Sequence, residues 1–242
     1  MRAYVCFDDT DILDCGRGTG KLGRWLMDRL PDGCTGWGVV RQQLLVHPDI
    51  PMTSHNSSAC AVLDVPDPSV VPELVARATA LIQENYFEGS DPGLCVATEA
   101  DTEALARLVA FGRLAAVAVT DKAHAREAAA GIHLSEHGGT GGGIIGAAAG
   151  VGLTHEGWAG RLIDYRVSLR DFPREVPVAD LESAGMIVLA IDRNVGVPRP
   201  SDVVDTKDWL RPRIWGGRPA VPVKWVADGL WEAISNRPGE EG

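Results

Sequence analysis

A glycine-rich loop that leads into a run of small residues is the feature that most constrains the fold of this chain. Five of the six residues from 138 to 143 are glycine, and the sequence continues as IIGAAAGVG. Ordering a glycine in regular structure costs about 0.5–1 kcal/mol relative to alanine. A helix with so little side-chain volume must lie tight against a neighbour, with its positive N-terminus toward the loop. The run predicts close contact between backbone and a phosphate or nucleotide; a flexible lid or linker is the alternative.

A cluster of carboxylates follows the first apolar run of the chain. Residues 3–7 are predicted to form a buried strand, and Asp8, Asp9, Asp11 and Asp14 come next. In open α/β sheets, ligands bind at the carboxyl ends of the strands. Carboxylates this close raise one another's pKa unless a cation lies among them, so the cluster indicates Mg²⁺ or a bound cationic group. The alternative is a solvated acidic turn whose first Asp caps the next helix.

Another glycine-containing loop, CGRGTGKLG, comes earlier in the chain and precedes a predicted helix; we call it the first glycine loop. Its spacing is one residue short of a P-loop, and it follows the strand too late for a dinucleotide-binding loop. The loop would still form an anion site at a helix N-terminus, through the backbone N–H groups of Gly16, Gly18 and Gly20. Lys21 lies nearby, and Thr19 adds a hydroxyl. A flexible turn that ends in an N-cap is the alternative.

A polar loop, which we call the middle loop, lies between two predicted strands in the first third of the chain. Ser54, His55 and Asn56 are candidates for orienting a substrate, and His55 could act as an acid or base. A plain hairpin loop is equally consistent with this spacing. The sequence HLSEH at 133–137 matches an inverted zinc-protease motif, but the motif requires a helix and here it runs into glycines, so no zinc is expected.

Composition limits the function classes that this chain can serve. It has 242 residues, with 23 Lys and Arg against 33 Asp and Glu, for a net charge of −10. This balance argues against a protein that mainly coats nucleic acid or an anionic membrane. Five scattered cysteines form no C-x-x-C pair, and no signal peptide or membrane span is evident, so we expect a cytoplasmic protein.

Hydrophobic periodicity predicts a chain that alternates strands and helices up to a boundary near Gly157. Two of the predicted elements are a strand over 115–120 and a final helix over 226–235. The part after the boundary contains further strands, Pro-rich connections and four of the seven Trp residues. The overall expectation is a mixed α/β (α+β) fold.

Several motifs occur in the order found in one known family. VCFDDTD is similar to that family's opening Ile-Asp-Asp-Thr-Asp, and the Gly16 to Thr19 segment falls where its Gly-Met-Cys-Thr-Thr lies. HPDIPMTSHNSSACAV is similar to its Asn-Pro-x-Ile-Pro loop, and GTGGGIIGAAAGVG to its Gly-x-Ile-Gly-Ala-x-Ala loop. RLIDYR and PRIWGGRPAVPVKW also have counterparts. With these motifs the chain resembles the N-terminal half of the archaeal tRNA-isoleucine 2-agmatinylcytidine synthetase (TiaS) family.

The resemblance implies an ATP-binding, mixed-sheet kinase-like domain over residues 1–156 and a smaller ferredoxin-like α+β domain over residues 157–242. The family uses ATP to activate a cytidine carbonyl oxygen in the tRNA anticodon, which the amine of agmatine then displaces. Asp8, Asp9 and Asp11 would hold Mg²⁺ and phosphates, and Thr19 would take the position of the family's reactive threonine. The glycine-rich run that begins at residue 138, which we call the late glycine loop, would bind the nucleotide. Its expected nucleotide-binding residues are Gly139, Thr140, Gly141, Gly142, Gly143 and Gly146.

The chain also departs from the family pattern. We expect no counterpart of the family's OB-fold and zinc ribbon, and Thr53-Ser54-His55 stands where the family has Lys-Thr-Arg. The resulting expectation is a stand-alone enzyme that uses Mg²⁺ and ATP in phosphotransfer or activation of a small-molecule or nucleotide-like substrate, with tRNA less favoured. The alternatives are a tRNA-modifying enzyme that works with a separate RNA-binding subunit, and a non-catalytic nucleotide-binding module.

Overall fold

The first apolar run forms strand β1, Arg2–Asp8, in the interior of a mixed sheet. The structure is a computed structural model, and it describes residues 1–53, 55–207 and 209–234. Helices cover both faces of β1: Val5 and Phe7 belong to one apolar cluster, and Tyr4 and Cys6 to the other. A strand that is buried on both faces has a continuous apolar sequence, which is why the run shows no alternation with polar residues.

Twelve strands in the described part of the chain join one sheet. In the order β5-β4-β1-β3-β2-β6-β10-β11-β12-β9-β7, each strand pairs with its neighbours, and β8 pairs with β11. The pairs are antiparallel except β8 with β11 and β9 with β12, which are parallel. This mixed arrangement confirms the expected α+β class. The remaining strands are β2 (Thr35–Gln43), β3 (Ser57–Asp64), β4 (Gly93–Thr98), β5 (His133–Glu136), β6 (Arg161–Tyr165), β7 (Glu175–Pro177), β8 (Ile187–Ala190), β9 (Val203–Asp205), β10 (Arg213–Trp215), β11 (Arg218–Ala227) and β12 (Leu230–Ala233).

Two groups of helices pack on opposite faces of the first half of the sheet. Helices α1 (Gly20–Met27) and α2 (Val71–Glu84) place Leu22, Leu26 and Leu74 in the cluster that contains Phe7. Helices α3 (Thr102–Ala115), α4 (Lys122–Ala128) and α5 (Ile144–Glu156) cover the other face. Helix α5 lies directly against β1, β3 and β4 and packs closely on α3. Its small residues allow this close approach.

The strands after residue 157 continue the sheet through β6. This strand pairs with β2 on one side and with β10 on the other. The short helix α6 (Val178–Ser183) lies between β7 and β8, and its Val178 and Leu181 are buried. None of the helices in the described residues is long and apolar enough to span a membrane.

Two predicted elements were wrong. Residues 115–120 do not form a strand: α3 extends to Ala115, and the N–H groups of Val117 and Ala118 bond back to the carbonyl of Leu114. The predicted helix over 226–235 is instead the end of β11, a turn at Gly229 with φ of +73°, and β12; Ser235 lies outside the described residues. Apolar residues dominate both segments, so apolar composition alone does not distinguish a strand from a helix there.

Candidate functional site: a cavity between the acidic turn and the glycine loop

The end of β1 forms one wall of a cavity of about 400 Å³. Asp8 is the last residue of the strand, and Asp9 follows with φ of +50°, a left-handed conformation that is uncommon outside glycine. This bend directs the chain into the acidic turn, so that Asp8, Asp9 and Asp11 all line the cavity. The size of the cavity is in the usual range for small-molecule and cofactor sites.

The carboxylates of the turn have perturbed acidities. Burial, together with the charges of Asp9 and Asp11, raises the pKa of Asp8 to about 8. Burial and the charges of Asp91 and Asp11 raise the pKa of Asp9 to about 6. Like charges held this close in a cavity favour a bound cation.

Asp11 holds Thr19 in place. The Thr19 hydroxyl donates to Asp11 Oδ1 at 2.8 Å, and its backbone N–H donates to the same oxygen at 3.0 Å. The Thr10 hydroxyl donates in turn to Thr19 Oγ1 at 3.3 Å. On its other oxygen, Asp11 accepts the Thr53 hydroxyl at 3.3 Å. Both oxygens of Asp11 are thus engaged, and they tie the first glycine loop to the middle loop.

The first glycine loop contributes only part of its predicted set to the cavity. Gly18, Thr19 and Gly20 line it, whereas Gly16 and Lys21 lie outside the lining. The Lys21 ammonium instead lies 5.8 Å from the centre of the Trp25 ring. The predicted roles of Gly16 and Lys21 in anion binding stay predictions.

The late glycine loop is fastened by a residue that the sequence analysis did not single out. Asp91, in the loop before β4, accepts hydrogen bonds from the Thr140 hydroxyl and the Gly141 N–H. Its carbonyl accepts the Gly143 N–H at 3.1 Å, and its own N–H donates to the Asp9 carbonyl at 3.1 Å. Asp91 therefore connects the glycine loop to the acidic turn. It precedes Pro92 and Gly93, and a D-P-G tripeptide indicates a turn but not this function.

Helix α5 begins at the cavity. Thr140, Gly142, Gly143 and Gly146 line it, whereas Gly139 and Gly141 do not. Gly143 is the N-cap and no side chain caps the helix, so the positive end of its dipole faces the cavity wall.

The glycines of this segment are required by close approach. A Cβ at Gly146 would overlap the Asp8 carboxylate, and one at Gly143 would overlap the carbonyl of Asp91. Gly141 has φ of +77°, a conformation that favours glycine. Ser58 lines the same cavity, and its buried hydroxyl has no hydrogen-bond partner among the described residues.

The middle loop closes the remaining side. His55 lines the cavity, and burial followed by the charges of Arg41 and Arg161 lowers its pKa. Asn56 also lines it, but its amide donates to the Leu45 carbonyl at 2.6 Å and so braces the loop. Ser54 lies outside the described residues. Arg41, also missed from the sequence, lines the cavity and donates to Ser57 Oγ at 2.8 Å.

No ready-made metal centre is present: in the described ranges, no three His, Cys, Asp or Glu side chains are grouped so as to hold a metal ion. The donors around the cavity are nonetheless carboxylates and hydroxyls. Magnesium in phosphotransfer sites is typically bound by one or two carboxylates, with waters and substrate phosphates completing the shell. The residues present therefore fit a magnesium ion that enters together with a nucleotide.

Comparisons with known proteins give similarity at the level of structure. No protein-family model and no curated protein matches the sequence. A structure of a tRNA fluorescent labeling enzyme matches with a TM-score of 0.56 and 28% identity, covering 74% of this chain and 42% of that one. A complex of TiaS with its isoleucine tRNA and ATP matches with a TM-score of 0.55 and 28% identity, covering 76% of this chain and 43% of that one. A complex of TiaS with the same tRNA, AMPCPP and agmatine matches with a TM-score of 0.54 and 28% identity, covering 76% of this chain and 44% of that one.

The chain thus spans less than half the length of these proteins. Two of the three structures contain ATP or an ATP analogue, in each case together with the isoleucine tRNA. Over the matched part, this chain has a TiaS-like α+β fold.

Proposed function

We propose that this chain is an ATP-dependent enzyme that transfers a phosphoryl group to, or otherwise activates, a nucleotide-like substrate. The observation that carries the proposal is the convergence of Asp8, Asp9 and the N-terminal end of α5 on one cavity. Phosphoryl transfer depends mainly on positioning and on neutralising phosphate charge, and this cavity offers both kinds of group. The TiaS structures with ATP and AMPCPP support the assignment of the cavity to ATP.

In this proposal the phosphates lie between the glycine loop and the acidic turn. The backbone N–H of Ile144, which donates to no described residue, binds a phosphate oxygen at the start of α5, whereas those of Gly143 and Ile145 are already bonded. Asp91 keeps the loop in its binding conformation through Thr140 and Gly141. Gly146 allows the helix to come close enough to Asp8 for both to serve the same ligand.

Asp8 and Asp9 would hold the magnesium ion. When bound, the ion would neutralise phosphate charge and align the reacting phosphoryl group. Asp11 was predicted as a third ligand, but its two oxygens accept hydrogen bonds from Thr19 and Thr53. We assign Asp11 to positioning the Thr19 hydroxyl. When Thr19 Oγ1 attacks the terminal phosphoryl group of ATP, Asp11 accepts the hydroxyl proton, the bond from that phosphorus to the bridging oxygen breaks, and ADP leaves. The acceptor oxygen then takes the phosphoryl group from Thr19, whose oxygen recovers its proton from Asp11.

We also propose the division of labour between residues 1–156 and 157–242. Among the described residues, the cavity lining comes entirely from those between Asp8 and Gly146. Nucleotide binding is therefore assigned to the first part, with the second part, proposed to be ferredoxin-like, lying next to it in the sheet through β6.

Calorimetry with Mg²⁺ and a non-hydrolysable ATP analogue tests the proposal. We expect the wild type to bind the ATP analogue. In a separate assay of ATP turnover with candidate acceptors, we expect Asp8→Asn and Asp9→Asn each to lower the rate by on the order of 10²-fold, as is typical when an electrostatic catalytic group is removed. Asp14→Asn is the matched control, since Asp14 is exposed, lies outside the cavity lining, and has a positive φ that asparagine tolerates. Absence of nucleotide binding by the wild type would refute the proposal.

A second candidate function is modification of tRNA itself, because the matched structures include complexes of TiaS with tRNA and a tRNA labeling enzyme. Retention of tRNA at low salt, with loss on raising the salt, would support it. Turnover of ATP with free nucleotides and no retention of tRNA would favour a small acceptor.

A further inference from the structure

Three arginines lie side by side across three adjacent strands of the sheet. Arg41 of β2 is directly opposite Arg161 of β6, and Arg161 is directly opposite Arg213 of β10. Residues opposite one another in antiparallel strands project on the same face and are close neighbours. We call Arg41, Arg161 and Arg213 the arginine row. Like charges placed directly opposite destabilise a sheet, so this row needs another explanation.

The row is not neutralised by the protein. None of its three members forms an ion pair with a described residue, although the chain has a net charge of −10. Elsewhere, Arg174 pairs with Asp205 and Arg199 with Asp202, and these acids raise the pKa of each arginine. Within the row, by contrast, the pKa of Arg161 is lowered. Burial is the main cause, followed by the positive charges of Arg41, Arg211 and Arg213.

The guanidinium groups have unused donors. Arg41 donates through Nε to Ser57 Oγ at 2.8 Å, and its terminal nitrogens donate to no described residue. The side chains of Arg161 and Arg213 make no hydrogen bond to a described residue. Half-buried arginines with free donors and no ion pair to a described residue are suited to an incoming anion, and the guanidinium fork matches phosphate.

The row begins at the proposed nucleotide cavity. Arg41 and Ser57 line the cavity, whereas Arg161 and Arg213 continue outward from it along the sheet. Ile163, two residues after Arg161 on β6, contacts the start of α1, where a Cβ at Gly20 would press on it. The row therefore starts in the cavity lining at Arg41 and continues along β6, whose Ile163 adjoins the Thr19 loop at Gly20.

We infer that the arginine row is a second anion site, which binds a phosphate group of the substrate that accepts the activated group. The phosphate could belong to a mononucleotide or to the backbone of an RNA strand, because both present the same oxygens to a guanidinium. That the ligand is the acceptor substrate depends on the proposed function; the binding of phosphate by the row does not.

Fluorescence anisotropy with a labelled single-stranded RNA pentamer, competed by a nucleoside 5′-monophosphate or by inorganic phosphate, tests this site. A saturating non-hydrolysable ATP analogue with Mg²⁺ is present, so that the first cavity is filled. We expect Arg161→Gln and Arg213→Gln each to weaken anion binding about tenfold, as for loss of a charge-assisted hydrogen bond. Each should also reduce the salt dependence of RNA binding by about one phosphate contact.

Arg193→Gln is the control, since Arg193 is exposed on a turn and forms no ion pair with a described residue. Thermal melting of every variant separates loss of binding from loss of folding, and we expect removal of one charge from the row to leave stability unchanged or higher. If the Arg161→Gln and Arg213→Gln variants lose affinity for the RNA pentamer alone, the phosphate bound by the row belongs to an RNA backbone. If they lose affinity for the monophosphate equally, the phosphate belongs to a small acceptor. Either result supports the site.

Unchanged anion affinity in both variants, or an equal loss in Arg193→Gln, would overturn the inference. So would a wild type that binds none of the three probes. A wild type that binds these anions but not the ATP analogue would overturn the proposed function and leave the second anion site standing.

Discussion

Gly146 lies so close to Asp8 that a β-carbon added to the glycine would overlap the carboxylate. The helix α5 and the end of β1 come from residues 138 positions apart in the sequence, yet they form adjoining walls of one cavity. This contact joins the positive end of a helix to a cluster of carboxylates, and each of the following predictions tests a part of that arrangement.

Gly146→Ala should impair nucleotide binding. The new methyl group must displace either the Asp8 carboxylate or the helix, and we expect destabilisation of about 1–3 kcal/mol, the range for overpacking. Denaturant unfolding and calorimetry with the ATP analogue measure the two effects. Gly196→Ala is the control, because nothing lies within 4 Å of a Cβ there. Equal behaviour of the two variants would show that the close approach at Asp8 is unimportant.

Thr19 should be needed for turnover and not for nucleotide binding. Thr19→Ala removes the hydroxyl that donates to Asp11, whereas Thr19→Ser keeps it. We expect the alanine variant to bind the ATP analogue within about twofold of wild type and to lose turnover by on the order of 10²-fold or more. The serine variant should retain a substantial part of the activity. If alanine and serine variants turn over equally, the hydroxyl has no chemical role.

Asp91 should control the conformation of the glycine loop. Asp91→Ala removes the acceptor for the Thr140 hydroxyl and the Gly141 N–H, so the loop loses two side-chain anchors. We expect faster hydrogen exchange across residues 138–143 and an affinity for the ATP analogue lower by about tenfold. Asp121→Ala, which removes a capping carboxylate at the start of α4, is the control. Unchanged exchange in the Asp91 variant would contradict its anchoring role.

Stability without ligand should fall as the pH rises. The pKa of Asp8 is raised to about 8 and that of Asp9 to about 6, so each favours the protonated form in the folded protein. Their contribution is fully present below the pKa of an unfolded aspartate, about 3.9, and is lost as the pH passes through about 6 and then 8.

Thermal melting between pH 5 and pH 9 measures this effect, with the pH values chosen as roughly one unit outside the two pKa values. Asp8→Asn should flatten the decline, because asparagine does not ionise. Adding Mg²⁺ with the ATP analogue should stabilise the wild type most at the alkaline end, where both carboxylates are charged. A decline equally steep in Asp8→Asn would place the cause elsewhere.

The sequence was sufficient to predict the parts of the site that depend on local chemistry. A buried strand that ends in Asp8 and Asp9, and a glycine run that opens a small-residue helix, each have a pattern that short-range physics explains. These patterns single out Asp8, Asp9 and Gly146, and all three line one cavity. Their roles in binding and catalysis stay predictions.

Contacts between distant segments could not be predicted in this way. Asp91 lies in an ordinary turn, and its function depends on two loops that lie before and after it in the chain. Arg41 and Arg161 face each other only because β2 pairs with β6, a register that no local pattern specifies. The segment over 115–120 was misassigned because its apolar residues suit a strand as well as the end of a helix, and local hydrogen bonds to Leu114 continue α3 there. The segment over 226–235 was misassigned because strand pairing with β11 and β9 decided its structure.

The most direct test of the central claim is a structure of the chain with Mg²⁺ and a non-hydrolysable ATP analogue. We expect the phosphate chain to lie between the N-terminal end of α5 and a magnesium ion held by Asp8 and Asp9, with Thr19 facing the terminal phosphate. A nucleotide bound elsewhere, or phosphates more than one hydrogen-bond length from both the helix and the metal, would contradict it.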